Sequence, residues 1–408
     1  MQDGSIQNGC CVRRSICVAL VVVFCSAIAC AGETRVVESK HYRVHSDLDP
    51  DLTNDLTRRL DLMYDEYARR LSGFDAGGLK LTFNVHLFER HVDYIRFTDN
   101  RLPNSGGMFM PGKNALTAFF EKSTRTELQR TLQHEAFHQF AHTHISPNLP
   151  VWLNEGLAQV FEEGLWAGDK FYMGQVPPRR LRELRDHMKH RRLVPFDRFL
   201  NITPEDWAKE MRRGPERTNQ IYTQAWAMAQ FLVAGTEPTG QPLRPRLLEM
   251  LRLLHAGRDS QSVFRESFSD NVQGFQDRFV SFARAVQPTA EAVAVEQHQI
   301  LADMLVDLYR QGTTFTSVSE FREHIIRGQY RMEYTQNGVR WTTDANPVVY
   351  FSSAGGNAFG SGELFFQRGS GPIQDLVCRA DHSFNLRAKF HLRPDGSLDS
   401  EMLLEPVR

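Results

Sequence analysis

His134-Glu135-Ala136-Phe137-His138 is the stretch that decides how the rest of this 408-residue chain is read. Four residues of α-helix turn about 400° and climb about 6 Å. The two imidazoles therefore lie one above the other on one face, close enough to share a metal ion. Glu135 occupies the neighbouring strip, placed to reach a water on that metal rather than the metal itself. Zinc lowers the pKa of such a water to roughly 7, and a carboxylate beside it can take the proton. The flanks read as helix. Thr124 and Glu127 have capping-box spacing, and Leu128, Leu132, Ala136 and Phe140 recur at helical intervals. The bland alternative is a helix with two hydrogen-bonded histidines and no metal.

A catalytic zinc usually takes three protein ligands and leaves a fourth position for water. Two candidates compete for the third place. His144 fits the metzincin spacing H-E-x-x-H-x-x-G-x-x-H, but the position that needs the turn-forming glycine is Ala141. If the helix simply continues, His144 lies about 15 Å along the axis from His134 and His142 about 12 Å, too far to share its metal. The other candidate is Glu155 in Val151-Trp-Leu-Asn-Glu-Gly-Leu-Ala158. Pro147, Asn148 and Pro150 break the chain first. A second helix with Leu153, Leu157, Val160 and Phe161 on one face can then run back and present Glu155 to the histidines.

Here the residues carry a family likeness. H-E-x-x-H followed by a helix with Asn154-Glu155-Gly156-Leu157-Ala158 resembles the gluzincin metallopeptidases, a clan that includes thermolysin-like and aminopeptidase-N-like enzymes. The resemblance implies one zinc ion held by His134, His138 and Glu155, with Glu135 as general base. It also implies that Tyr222, opening the amphipathic run Tyr222–Leu232, donates to the tetrahedral oxyanion. A phenol of pKa about 10 is protonated at neutral pH and can do so. Gly106-Gly107-Met108-Phe109-Met110-Pro111 resembles the edge strand along which gluzincins bind the substrate backbone, which assigns Gly107 and Met108 to peptide binding. No glutamate stands between Gly106 and Phe120 to hold a free amine, which favours endopeptidase over aminopeptidase action. The likeness spans about residues 105–235 and is nearest to secreted bacterial families of the peptidase-MA-like group.

The net charge of −1 gives no reason to expect a nucleic-acid partner. Basic clusters such as Arg179-Arg180-Leu-Arg182 read as solvated helix faces. At the N-terminus, Arg13 and Arg14 precede an apolar run from Ile16 to Ala29 and an Ala29-Cys30-Ala31 end, the pattern of a secretory signal peptide. Cleavage after Ala31 is expected, with lipid anchoring through Cys30 as the second choice. Export to the periplasm or beyond follows. Five of the six cysteines lie in this leader, leaving Cys378 without an internal disulfide partner.

The expected fold class is α+β. Residues 1–31 are the leader and 32–290 a zincin-like catalytic domain. That domain has a small α/β sheet layer at 32–122, followed by the zinc helices and a helical lobe at 123–290. The segment 79–87 alternates as a strand, and helices are expected near 178–190, 204–212, 222–234, 244–256 and 273–286. A helical linker at 291–327 leads to a β-rich C-terminal domain at 328–408. That domain carries strands at 331–334, 339–342, 348–351, 364–366 and 386–392, an Asn337-Gly338 hairpin turn, a glycine- and serine-rich loop at 353–362 and a Pro394-Asp-Gly396 turn. Contact with the envelope or a glycan is the partner considered for it, beside a peptide or protein substrate for the cleft. Oligomeric state is left open. The alternatives are a zincin fold that binds without hydrolysing, and an adhesin driven by the tail.

Overall fold

The computed structural model describes residues 34–74, 81–101, 103, 105–121, 123–336, 339–344, 346–351, 363–379, 384–393 and 396–407. The leader with Cys30 and Ala31, the start of the 79–87 strand, the Asn337-Gly338 turn, the 353–362 loop and Pro394-Asp395 lie outside these residues. The architecture is mixed α+β.

The first layer is a five-stranded sheet. Its strands are β1 (Arg35–Glu38), β2 (Tyr42–Ser46), β3 (Phe83–Phe88), β4 (Gly107–Met110) and β5 (Ala115–Phe119), in the order β1-β2-β3-β5-β4. β2, β3 and β5 are parallel, and β4 is an antiparallel edge. The alternation read in the sequence decides the faces. Tyr42, Val44, Phe83, Val85, Leu87 and Leu116 join the apolar cluster that includes α1 (Pro50–Arg70) and the helix of the H-E-x-x-H residues. On the other face, α2 (His91–Phe97) brings Phe97 to 4.3 Å from the His86 ring.

α3 (Arg125–Phe140) carries the H-E-x-x-H residues. Its N-terminus closes with the capping box foreseen from the sequence, Thr124 and Glu127 each satisfying the other's backbone N–H. Ala141 stays helical (φ −61°, ψ −44°), and the chain continues as a wider π-turn over Ala141–Ile145. α4 (Val151–Glu162) then returns along α3, followed by a hairpin of β6 (Leu165–Ala167) and β7 (Lys170–Tyr172). The Gln133 side chain joins these elements. It donates to the Phe161 carbonyl at 3.1 Å and accepts from the Trp166 indole at 3.0 Å. The Phe161 carbonyl also accepts from the Gly164 N–H at 2.9 Å, so Gln133 ties an already closed helix end to α3.

The helical lobe comprises α5 (Pro178–Lys189), α6 (Phe196–Leu200), α7 (Pro204–Met211), α8 (Pro215–Ala234), α9 (Arg244–His255), α10 (Ser260–Ser267) and α11 (Val272–Ala285). α8 begins seven residues earlier than the amphipathic pattern suggests, because Pro215 opens a polar first turn that period analysis does not register.

α12 (Ala290–Arg310) and α13 (Val318–Arg327) lead into the last strands. β8 (Glu333–Gln336) and β9 (Val339–Thr342) pair as a hairpin. β10 (Glu363–Gln367), β11 (Asp375–Arg379), β12 (Phe384–Leu392) and β13 (Leu398–Pro406) form an antiparallel sheet. The segment expected as a strand at 348–351 is a 3-10 turn instead, since Asn346 caps it and Pro347 cannot donate to a ladder. Residues Thr34–Arg408 form one compact unit with two apolar clusters. The second cluster centres on α12 and the last sheet, and the β6–β7 hairpin packs into it through Ala167, Leu165 and Tyr172.

Candidate metal centre

α3 and α4 bring three side chains together. His134 Nε2 lies 3.3 Å from Glu155 Oε2, and His138 Nε2 lies 3.7 Å from the same oxygen. The His134, His138 and Glu155 ligand atoms all lie within 4.8 Å of one another, and this is the group among the described residues that could hold a metal. Both histidines turn Nε2 inward. His144 is elsewhere: the unbroken helix buries it, with Nε2 3.1 Å from the Tyr64 hydroxyl.

One glycine allows α4 to sit where it does. A Cβ on Gly156 would fall 2.4 Å from the Ala225 carbonyl oxygen and 2.9 Å from the Ala229 methyl. Only the missing side chain lets α4 approach α8 this closely. Glu155, the preceding residue, and Tyr222, one turn before Ala225, are thereby set on facing helices.

The outer contacts differ between the two histidines. His134 Nδ1 is 3.1 Å from Glu162 Oε2, a carboxylate–imidazole pair of the kind that orients metal-binding histidines. His138 Nδ1 is buried without a hydrogen-bond partner among the described residues. Glu162 in turn meets Arg130 at 3.3 Å and Arg180 at 3.9 Å. Its neighbour Glu163 is buried and receives Arg130 at 2.7 Å, Arg179 at 2.5 Å and Arg180 at 2.8 Å. The Arg179-Arg180 pair expected on a solvated face is therefore buried. Charge pairing reverses the exposure that residue type alone suggests.

The electrostatics favour a cation. Burial works against ionisation of Glu155, but the two imidazoles overcome it and hold the carboxyl well below its usual range. Burial likewise opposes charge on His134, and Glu155 and Glu162 outweigh it, raising the imidazole well above its ordinary value. Glu162 and Glu163 have arginines to answer them; among the described residues, the groups that favour the charge on Glu155 are the two imidazoles. A divalent cation at the three converging atoms would neutralise Glu155 and leave both histidines neutral, as ligation requires. The donor set of two imidazole nitrogens and one carboxylate oxygen suits zinc.

Glu135 points to the sheet edge. Its Oε2 accepts from the Phe109 N–H at 2.8 Å. In β4, the polar groups of Met108 and Met110 turn toward β5, so those of Gly107 and Phe109 face the free edge. Gly107 is partly occupied: the Ser105 hydroxyl donates to its carbonyl oxygen at 2.5 Å. A Cβ on Gly107 would lie 2.7 Å from Thr131 Cγ2, so the glycine is accounted for by packing against α3. Met108 does not present its amide outward; Phe109 does. Sequence reading passed over Phe109 because a strand's outward parity is fixed only by its pairing.

Tyr222 sits in the interior of α8 rather than ahead of it. Burial and the nearby Glu155 carboxylate push its hydroxyl well above the ordinary tyrosine value, with Trp207 acting the other way. It is a protonated donor at neutral pH. Glu162 was also missed in the sequence, yet a signal was present. It stands two helical turns after Glu155 on α4, so the two share a face.

Residues 129–238 match the family described as Protein of unknown function (DUF1570), which belongs among the gluzincin-like peptidase families. The match runs from within α3 to just past the end of α8, taking in His134, Glu135, His138, Glu155 and Tyr222. No curated protein matches the chain.

Proposed function

We propose that this protein is a zinc-dependent peptidase of gluzincin type that is exported and acts on peptides or proteins, as an endopeptidase rather than an aminopeptidase. The observation that carries the reading is the convergence of His134, His138 and Glu155, with Glu135 beside them and turned to the sheet edge. A zinc ion held there would supply Lewis acidity, activating a water and polarising a carbonyl. Glu135 would take the proton from the attacking water and hand it to the leaving amine, the role its position beside His134 suits. Tyr222 would donate to the oxygen that gains charge as the carbonyl becomes tetrahedral. The outward groups of Gly107 and Phe109 would pair with a substrate chain laid along β4. In binding, such a chain would compete with the Phe109–Glu135 hydrogen bond and free the carboxylate for its task. Glu162 would keep the His134 ring turned so that Nε2 faces inward.

The test is metal analysis of the purified chain, paired with digestion of a peptide mixture with and without chelator. About one zinc per chain is expected, with cleavage that chelation stops and added zinc restores. A protein that binds zinc but leaves every peptide intact, with Glu135→Gln indistinguishable from wild type, would point to the non-hydrolysing scaffold instead.

A further inference from the structure

Tyr222 serves as an oxyanion donor only if its proton is directed into the cleft. A phenol carries one donor and two lone pairs and rotates to suit its surroundings. Among the described residues, the hydrogen bond its hydroxyl makes is a weak one, to Met211 Sδ at 4.0 Å. One turn earlier on the same helix, α7, stands Trp207. It is 3% exposed, and its indole N–H is buried with no hydrogen-bond partner among the described residues. Its ring stands nearly edge-on to Tyr222, with centroids 5.3 Å apart and planes at 70°. α7 is held by Thr203, whose side chain accepts from the Asp206 N–H, and by Pro204 in its first turn. A buried donor without a hydrogen-bond partner among the described residues thus stands against the ring that carries this hydroxyl.

We propose that Trp207 is a positioning residue: its indole N–H is given to the Tyr222 oxygen, which turns the phenol proton toward Glu155 and the place where a tetrahedral oxyanion would form. An indole N–H can only donate, so Tyr222 must meet it with a lone pair and aim its own hydrogen elsewhere. A hydroxyl that accepts one hydrogen bond also becomes a better donor in the next. The catalytic purpose rests on the peptidase reading; the hydrogen bond itself does not.

The experiment separates the two. The full chain is labelled with 15N-tryptophan. Its five tryptophans give few indole resonances, and Trp207→Phe identifies the one from Trp207. Tyr222→Phe keeps the ring and removes the oxygen. The Trp207 indole proton should then move upfield and exchange faster with deuterium. An unmoved resonance means that the N–H lies against the ring face or is unbonded, and overturns the proposal. Should Trp207→Phe fail to fold, nuclear Overhauser contacts from the indole N–H to the Tyr222 ring protons assign the resonance instead, and this arm still stands. In the second arm, the zinc-loaded chain cleaves an internally quenched peptide selected from the wild-type digest. Trp207→Phe should lower kcat by about tenfold, the size of one lost hydrogen bond, with KM and zinc content unchanged. In a Tyr222→Phe background it should have no further effect. Losses that multiply would show that Trp207 only packs. If the wild type cleaves nothing, the peptidase reading falls and the kinetic role of Trp207 with it, while the resonance shift still reports on the hydrogen bond.

Discussion

His134 is half-buried and His298 fully buried, and their surroundings drive them in opposite directions. His134 stands between Glu155 and Glu162, which overcome the penalty of burial and raise its pKa well above the usual value. His298, on α12, has the Leu376 carbonyl at 3.0 Å and, among the described residues, no carboxylate partner, and burial lowers its pKa to about 4. The first belongs to a region where charges are gathered and one carboxylate lacks a fixed cation. The second belongs to an apolar joint where burial pushes His298 and Asp303 toward their neutral forms. Burial alone therefore says little about function. What separates a candidate ligand from a structural histidine is whether the surrounding charge asks for a cation.

Five substitutions would break or sharpen this contrast. Glu135→Gln keeps the shape of the first region while removing the base. Peptide cleavage should fall by about 10³-fold or more, with bound zinc unchanged by metal analysis. Tyr222→Phe should lower kcat by about 10²-fold with little change in KM. Glu162→Ala leaves the three converging atoms intact but frees the His134 ring. Zinc affinity, measured by competition with a chromogenic chelator, should weaken by roughly 10- to 100-fold. Retention of full affinity would make Glu162 a partner of the arginines and nothing more.

The smallest effect concerns the joint. The folded-state pKa of His298 is depressed, so the unfolded chain binds more protons between about pH 6.5 and 4. Its contribution to stability is complete above that range and is lost as pH falls through it. Asp303, on the same helix, behaves in the opposite sense. Burial raises its carboxyl to about 6, Gln299 offsets part of this, and Asp399 adds to it. The folded chain then binds the extra proton, and stability from this group grows as pH falls from about 6 toward 4. The two largely cancel. In urea unfolding at pH 7 and pH 5, His298→Gln should retain about 2 kcal/mol more stability at pH 5 than wild type does, relative to pH 7. Asp303→Asn should lose about 1 kcal/mol more. Parallel behaviour of both variants and wild type would mean that neither group is held neutral in the folded protein.

The first region was largely legible in the sequence. A helix has a fixed pitch, so His134, Glu135 and His138 announce their geometry through spacing alone, and the Thr124–Glu127 cap is as local. Glu155 could be nominated because a proline break and a second amphipathic run imply a returning helix. The joint was less legible. β11 and β13 were not foreseen, and the 348–351 segment was read as a strand. Short apolar runs do not distinguish a strand from a turn, and what settles the matter is the partner each run meets.

Sequence by itself determined what periodicity and local chemistry can express: the helix with its two imidazoles, the capping box, the returning helix and the α+β class. Tertiary structure alone decided that Phe109 rather than Met108 offers its amide at the open edge, that Glu162 backs His134, that Arg179 and Arg180 are buried against Glu163, and that Trp207 stands beside Tyr222. These depend on which surfaces meet across long separations in the chain. Contacts of that kind are set by the packing of whole elements, including the close passage of α4 and α8 at Gly156, and no short window of residues encodes them.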